Sequence, residues 1–340
     1  ISDGVNTGAV LSYTVTVTDG SGLVIISGQT GSVAEDASAG DAVMTVTITD
    51  STPTAILISA GNADGIFAIA TSGAVTIADA TNLDYETTSS YTLTIVAYDS
   101  SSSDVEDITI SITDVNDAPS AGADQTGAVI EDASTTTATG TVAATDADSD
   151  TLSYAIGTAA GTYGSLAMSG AAWTYTLDNA DADTTALDAG DAPTEVFTIT
   201  VTDSSSTETD AMTVTITVTG ANDAPSAGSD GTGAVTEDAT TSTATGSITA
   251  TDADDAAAFT YSGDATGTYG AIAVDSAGAW TYTLSNSDAD TTALDAGDSV
   301  SDTFTLTVSD GTASDTMDVV ITVTGANDAP SAGSDGTGAV

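Results

Sequence analysis

Residues 212–225 read MTVTITVTGANDAP. From Met212 to Val218 every second residue is apolar and the residues between are threonine. Successive side chains of a strand point to opposite faces, so this spacing predicts a strand with one buried and one wet face. Threonine suits the wet face because its branched Cβ favours the extended backbone while its hydroxyl meets water. The alternation stops at Gly220, and Asn222, Asp223 and Pro225 follow, residues that favour turns. The stretch therefore reads as the last strand of a module running into a linker.

The same text recurs. GANDAPSAGSDGTGAV occupies 220–235 and again 325–340, a period of 105 residues, and DVNDAPSAGADQTGAV occupies 114–129. DADTTALDAGD stands at 181–191 and 288–298, AWTYTL at 172–177 and 279–284, and GTYG at 161–164 and 267–270. Self-similarity at a fixed period is the signature of a repeat architecture. The reading is of near-identical modules at 118–223 and 224–328, with a divergent cousin at 29–117. In the cousin, LDYE (83–86) precedes Asp99 by the same spacing that separates LDAG (187–190) from Asp203 and LDAG (294–297) from Asp310. Residues 1–28, with the alternating run Tyr13–Asp19, read as closing strands of a preceding module, and 329–340 as the start of a following one. Ile1 opens the chain without a signal-peptide pattern, so a segment of something longer is expected. Alternating runs also occupy 108–113, 173–177, 197–203 and 304–310, with Gly, Asp, Asn and Ser between them. The expected fold is all-β, a linear array of immunoglobulin-like antiparallel β-sandwiches.

Composition narrows the function. The 340 residues include 50 acidic ones and no Lys, Arg, His or Cys. Without cationic side chains nothing neutralises phosphates, so neither nucleic acid nor an anionic membrane surface is a partner. Without Cys there are no disulfides, and without His, Lys or Cys most general-base, Schiff-base and zinc chemistry is missing. Acidic pairs are too common here to single out a catalytic dyad, and no enzymatic activity is expected. A formal charge of −50 must be balanced by cations from solution, and hard oxygen ligands select Ca²⁺ or Mg²⁺. No apolar run is long enough to span a bilayer, and no N-x-Ser/Thr sequon occurs.

The motifs carry a resemblance. Ala34-Glu35-Asp36, LDYE (83–86), AYD (97–99) and DVNDAP (114–119) resemble the cadherin domain. The AWTYTL strands, LDAGD stretches and TVTGANDAP endings of the later modules resemble VCBS repeats of large secreted bacterial adhesins of the RTX or biofilm type. The resemblance implies tandem cadherin-like sandwiches, an extracellular or cell-surface location, and calcium at the module junctions. It assigns Glu35, Asp84, Glu86, Asp114, Asn116, Asp117, Asp146, Asp148 and Asp203 to the first junction. It assigns Glu131, Asp188, Asn222, Asp223, Asp252, Asp254 and Asp310 to the second. There Gly220 and Gly190 replace Asp114 and Glu86, so fewer or weaker ions are expected. The slot upstream of the first module reads Asp50-Ser51-Thr52 and lacks ligands.

Each motif also has a plainer reading. Asn, Asp and Pro form turns without any ion. Asp146-Ala-Asp148-Ser-Asp150 opens like an EF-hand loop but has Thr151 and Gly157 where Gly and Glu are required. DADTTALDAGD reads either as an extra ion site or as a solvated loop. Trp173 and Trp280 read as core residues, whereas Tyr163 and Tyr269 are candidates for exposed contacts. The function expected is an extracellular structural stalk or fibre, stiffened by calcium at its linkers, serving cell adhesion or filament assembly. The alternative is an adhesin module that binds carbohydrate or another partner. Copies of the same chain, through strand addition by 1–28 or 329–340, and surface glycans are the partners considered besides calcium ions.

Overall fold

The computed structural model describes residues 22–205, 207–254 and 258–330. The run Tyr13–Asp19 and most of the segments considered for strand donation lie outside the described residues. Two compact units emerge. One takes the described residues up to Pro119 together with Asp146–Thr151 and Asp203–Glu208, and the other takes Ser120–Thr145, Leu152–Thr202 and the described residues from Thr209 onward. Among the described residues there are strands and turns and no helix, so no helix is long and apolar enough to cross a membrane.

The first sandwich packs a four-stranded sheet against a three-stranded one. The larger runs Thr30–Ala34, Ser103–Thr113, Ser90–Tyr98, Ala55–Ala60, and the smaller Ala42–Thr45, Ala74–Ile77, Phe67–Ile69. The second sandwich repeats this with Gln125–Ile130, Thr209–Thr219, Thr194–Thr202 and Ser153–Ile156 facing Thr137–Thr141, Ala172–Leu177 and Gly164–Ser169. In the third, Gly231–Thr236, Ser314–Thr324, Ser299–Ser309 and Thr260–Ser262 form the large sheet, and Ala279–Leu284 is central in its partner. Pairing is antiparallel except that the first strand of each large sheet runs parallel to the last.

Each sandwich has its own core, filled from the inward half of the alternating runs. In the second, Phe197, Ile199, Val201, Met212, Val214, Ile216 and Val218 are buried while the threonines between them face outward. Trp173, Tyr175, Trp280 and Tyr282 lie within these cores.

One boundary differs from the sequence reading. Residues 1–28 were expected with a preceding module, but in the described part Leu23 and Ile25 are buried in the first core. The Leu23 amide donates to Ser102 Oγ at 3.0 Å and the Ile25 amide to Asp104 Oδ2 at 2.7 Å. Leu23 and Ile25 bury one face of the run beside Asp104, while Val24 and Ile26 on the other face stay exposed. The later sandwiches repeat the clasp: the Ala121 and Ala227 amides each donate at 2.9 Å, to Asp210 and Asp315. These amides hold both carboxyls below their ordinary range.

The two related cores differ at the indole. Trp173 Nε1 donates to Gln125 Oε1 at 2.8 Å, whereas Trp280 Nε1 is buried without a partner. Gln125 pairs with Val214, and the matching place beside Val319 is held by Gly231. Supplying the acceptor with Gly231→Gln is expected to stabilise the third sandwich by about 1 kcal/mol. A rise in its urea midpoint is the readout; no rise would mean that the amide does not reach the indole.

Candidate metal centre

The first linker, residues 114–117, gathers carboxylates from four loops of the first unit. Glu35 follows strand Thr30–Ala34 and is held at both oxygens. Oε2 accepts the Tyr85 amide at 2.6 Å and Oε1 the Val115 amide at 2.8 Å. It therefore ties the LDYE loop to the linker. In that loop Asp84 caps a turn by accepting the Thr87 amide at 2.9 Å and its hydroxyl at 2.8 Å. The Asp117 amide donates to Asp148 Oδ2 at 2.7 Å. Asn116 Nδ2 lies 3.2 Å from Asp203 Oδ2, and Ser205 Oγ bridges Asn116 and Asp150.

Three groups of carboxylates converge so that one oxygen from each member lies within 4.8 Å of the others: Glu35 with Asp84 and Glu86, Glu86 with Asp114 and Asp148, and Asp146 with Asp148 and Asp150. Shared members make this one continuous acidic cluster. Beside it opens a cavity of about 320 Å³ lined by Glu35, Asp36, Asp84, Asn116 and Asp117. Burial and neighbouring carboxylates push Glu86, Asp114 and Asp117 above their ordinary range. For Asp114 the main neighbour is Asp148. Asp146 Oδ2 is buried with no hydrogen-bond partner. A buried carboxylate oxygen without a donor is costly unless a cation faces it. The donor set is all oxygen, which fits a hard divalent ion of the calcium class.

The second linker, in the other unit, is built similarly but with fewer carboxylates. Glu131 is 2% exposed; its Oε2 accepts the Ala221 amide at 3.1 Å and its Oε1 is buried without a partner. The Asp223 amide donates to Asp254 Oδ2 at 3.1 Å, and the Asp254 amide to Asp252 Oδ1 at 3.1 Å. Asp252 Oδ2 and Asp254 Oδ1 are buried and unpartnered. Asn222 Nδ2 donates to Asp310 Oδ2 at 3.0 Å. Burial, and then Asp132, raise Asp223; burial, and then Asp252, Asp223 and Asp188, raise Asp254. Among the described residues, carboxylate triads as tight as those of the first linker occur only there. The reason for Gly220 is steric: a Cβ at that position would lie 2.4 Å from the Asp188 carbonyl oxygen. The chain passes too close to the LDAG loop for the aspartate that stands at 114.

The modules on either side of these linkers match known domain families. Residues 116–220 and 222–325 each match the bacterial cadherin-like domain, and residues 29–113 match the cadherin domain. The chain belongs to the bacterial cadherin-like family. The fold of this cadherin-like chain is also that of solved ectodomains. Protocadherin Gamma B2 extracellular cadherin domains 1–5 superpose with a TM-score of 0.58 at 20% identity, covering 91% of this chain and 60% of that one. Domains 3–6 of the same protein give 0.55 at 20% identity, covering 87% and 71%. Mouse cadherin-23 EC22–24 gives 0.54 at 17% identity, covering 88% and 96%. Such identities speak for fold alone. No curated protein matches the chain.

Two residues that the sequence reading does not name as ligands, Asp150 and Asp132, join the clusters, and a third, Glu237, repeats the role of Glu131 further along the chain. Asp150 completes a triad, and the alternate-aspartate run 146–150 is its signal. Asp132 lies against Asp223; the Glu-Asp doublets at 35–36, 131–132 and 237–238 were its signal. Glu237, 1% exposed, accepts the Ala326 amide at 3.1 Å and leaves Oε1 buried without a partner, as Glu131 does. Upstream, Asp99 is occupied differently: the hydroxyl of Ser51 and the amides of Ser101 and Ser102 hold it well below the ordinary carboxylate range.

Proposed function

We propose that this chain is a calcium-stiffened stretch of an extracellular stalk or fibre serving cell adhesion or filament assembly. The observation that carries the reading is the first linker: overlapping carboxylate triads beside a buried, unpartnered Asp146 Oδ2, in a chain with no cationic side chain. Holding like charges at this density costs free energy that a cation among them would offset. Glu35, Asp84, Glu86, Asp114, Asn116, Asp117, Asp146, Asp148 and Asp203 are its proposed ligands. Glu131, Asp188, Asn222, Asp223, Asp252, Asp254 and Asp310 are those of the second linker. A bound ion ties each linker to the loops around it and removes freedom from the chain there.

Membership of the cadherin-like family supports an adhesive or structural role, and such domains are typically not enzymes. The AWTYTL and LDAGD repeats support the finer reading of VCBS-type modules in a secreted adhesin, and copies of the chain are proposed to join into a fibre by strand addition. The test is small-angle scattering in calcium, in magnesium and in chelator. The maximum dimension should grow and its spread narrow with calcium. Equal profiles in calcium and chelator would end the proposal.

A further inference from the structure

Away from the linkers, the second and third sandwiches each hold a buried carboxylate on the inward side of a strand. Glu195 is 7% exposed and Asp302 3%. Each stands opposite an isoleucine of the last strand, Ile216 and Ile321, and the matching place in the first sandwich, opposite Ile110, is Tyr91. Glu195 accepts the amides of Thr162 and Tyr163, the latter at 3.0 Å, and the Tyr175 hydroxyl at 2.5 Å. Asp302 accepts the amides of Thr268 at 2.8 Å and Tyr269 at 3.0 Å, and the Tyr282 hydroxyl at 2.9 Å. From the other side, the Tyr163 carbonyl accepts the Asp178 amide and the buried Thr184 hydroxyl, and the Tyr269 carbonyl accepts the Ser285 amide and the buried Thr291 hydroxyl. Gly161 and Gly267 are required, since a Cβ would lie 2.1 Å from Glu195 and 2.6 Å from Asp302. The GTYG loop is thus locked at both its amides and its carbonyl, which is more than a surface turn needs.

What the loop presents is a groove, and the groove is duplicated. In the second sandwich it measures about 400 Å³, with Thr162, Tyr163, Thr176 and Asp181 in its lining. In the third it measures about 390 Å³, with Thr268, Tyr269, Thr283 and Asp288 at the same places. These volumes fall in the range of small-molecule sites, roughly 300–1,000 Å³. Asp181 and Asp288 each accept a backbone amide at 2.9 Å with Oδ1, and both carboxylates line the groove. Between the copies Asp178 becomes Ser285, so the charge varies while the tyrosine, both threonines and one carboxylate stay.

We propose that these paired grooves bind an uncharged saccharide. A half-exposed tyrosine offers an apolar face to sugar C–H groups, while hydroxyls and a carboxylate meet its O–H groups. An anionic ligand has no cation to pair with anywhere in the chain. The buried carboxylate acts as a positioning residue that fixes the tyrosine before the ligand arrives, which lowers the ordering cost of binding. Two sites on one chain give avidity toward a polymer that neither site has alone. This site is independent of ions at the linkers.

The test presents the full chain to immobilised neutral, anionic and amine-bearing oligosaccharides, in calcium and in chelator, and titrates any ligand retained. Retention of a neutral oligosaccharide in both media is expected, with a loss of at least about tenfold in the Tyr163→Ala/Tyr269→Ala variant. Because those rings also touch the cores, Thr176→Val/Thr283→Val on the wet faces serves as the second variant and should weaken binding without lowering the melting temperature. No retention of neutral sugars, retention only of charged ones, or binding that both variants leave unchanged would overturn the proposal. Binding lost in chelator and indifferent to both variants would assign it to the linkers instead.

Discussion

In chelator the chain is expected to melt at a higher temperature near pH 5 than near pH 7, and saturating calcium is expected to reverse that order. Without a cation, Glu86, Asp114, Asp117, Glu131, Asp223 and Asp254 all sit above their ordinary carboxylate range, through burial first and neighbouring carboxylates second. A carboxyl raised on folding binds more protons folded than unfolded in the window just above its ordinary value, so stability falls as pH rises through that window. Acidifying from neutrality therefore relieves the linkers. Below the ordinary range the trend turns, because Asp210, Asp310 and Asp315 are held low by amides in the folded chain and lose those bonds on protonation. With calcium bound, the linker carboxylates must stay ionised, so protons compete with the ion and acid weakens the chain throughout. At about 10 mM calcium and a dissociation constant of roughly 10⁻⁴–10⁻³ M, each ion contributes about 1.4–2.7 kcal/mol. For a module of this size that is roughly 5–15 °C in melting temperature. Asp114→Asn with Asp148→Asn should mimic acid: more stable than the parent in chelator, with the calcium increment at the first linker gone. Melting curves of parent and variant at both pH values, with and without calcium, decide it; a chelated chain that loses stability steadily from pH 7 downward would refute the account.

The second large effect is expected at Glu195. Glu195→Ala leaves the Thr162 and Tyr163 amides and the Tyr175 hydroxyl without their shared acceptor. The hydroxyl bond is buried and the amide bonds partly so; a buried orphan costs about 1–3 kcal/mol before water enters, and a total of about 3–5 kcal/mol is expected for the second sandwich. Glu195→Gln keeps one acceptor oxygen and should lose less, about 1–2 kcal/mol. Asp302→Ala should do the same to the third sandwich. The first should be indifferent, since Tyr91 there packs edge-on to Phe67 with centroids 5.2 Å apart. Calorimetry that resolves the module transitions is the measurement; a Glu195→Ala protein melting like the parent would mean that water replaces the carboxylate at no cost.

Much of this was legible in the residues. Alternation of apolar side chains with threonine located the long strands and their buried sides, because period two has one structural meaning. Acidic motifs in fixed order mark both linkers in the sequence. The start of the first sandwich was not legible, because Leu23–Ile26 is short and its partner, Asp104, lies far along the chain. Gly220 could be seen as a departure, but its cause is a through-space approach to the LDAG loop that spacing does not encode. Glu195 and Asp302 do carry a signal in the sequence: each shares the inward parity of a core strand, two residues before Phe197 and Phe304.

The close passage at Gly220 recurs at Gly325, where a Cβ would lie 2.4 Å from the Asp295 carbonyl oxygen, so Asp114 has no counterpart at either later linker. Under the calcium reading, an array of such modules would not slacken evenly as the calcium around it is diluted. Joints of the 220 type would give way first and those of the 114 type last, so the places where it folds up are written in by two missing side chains.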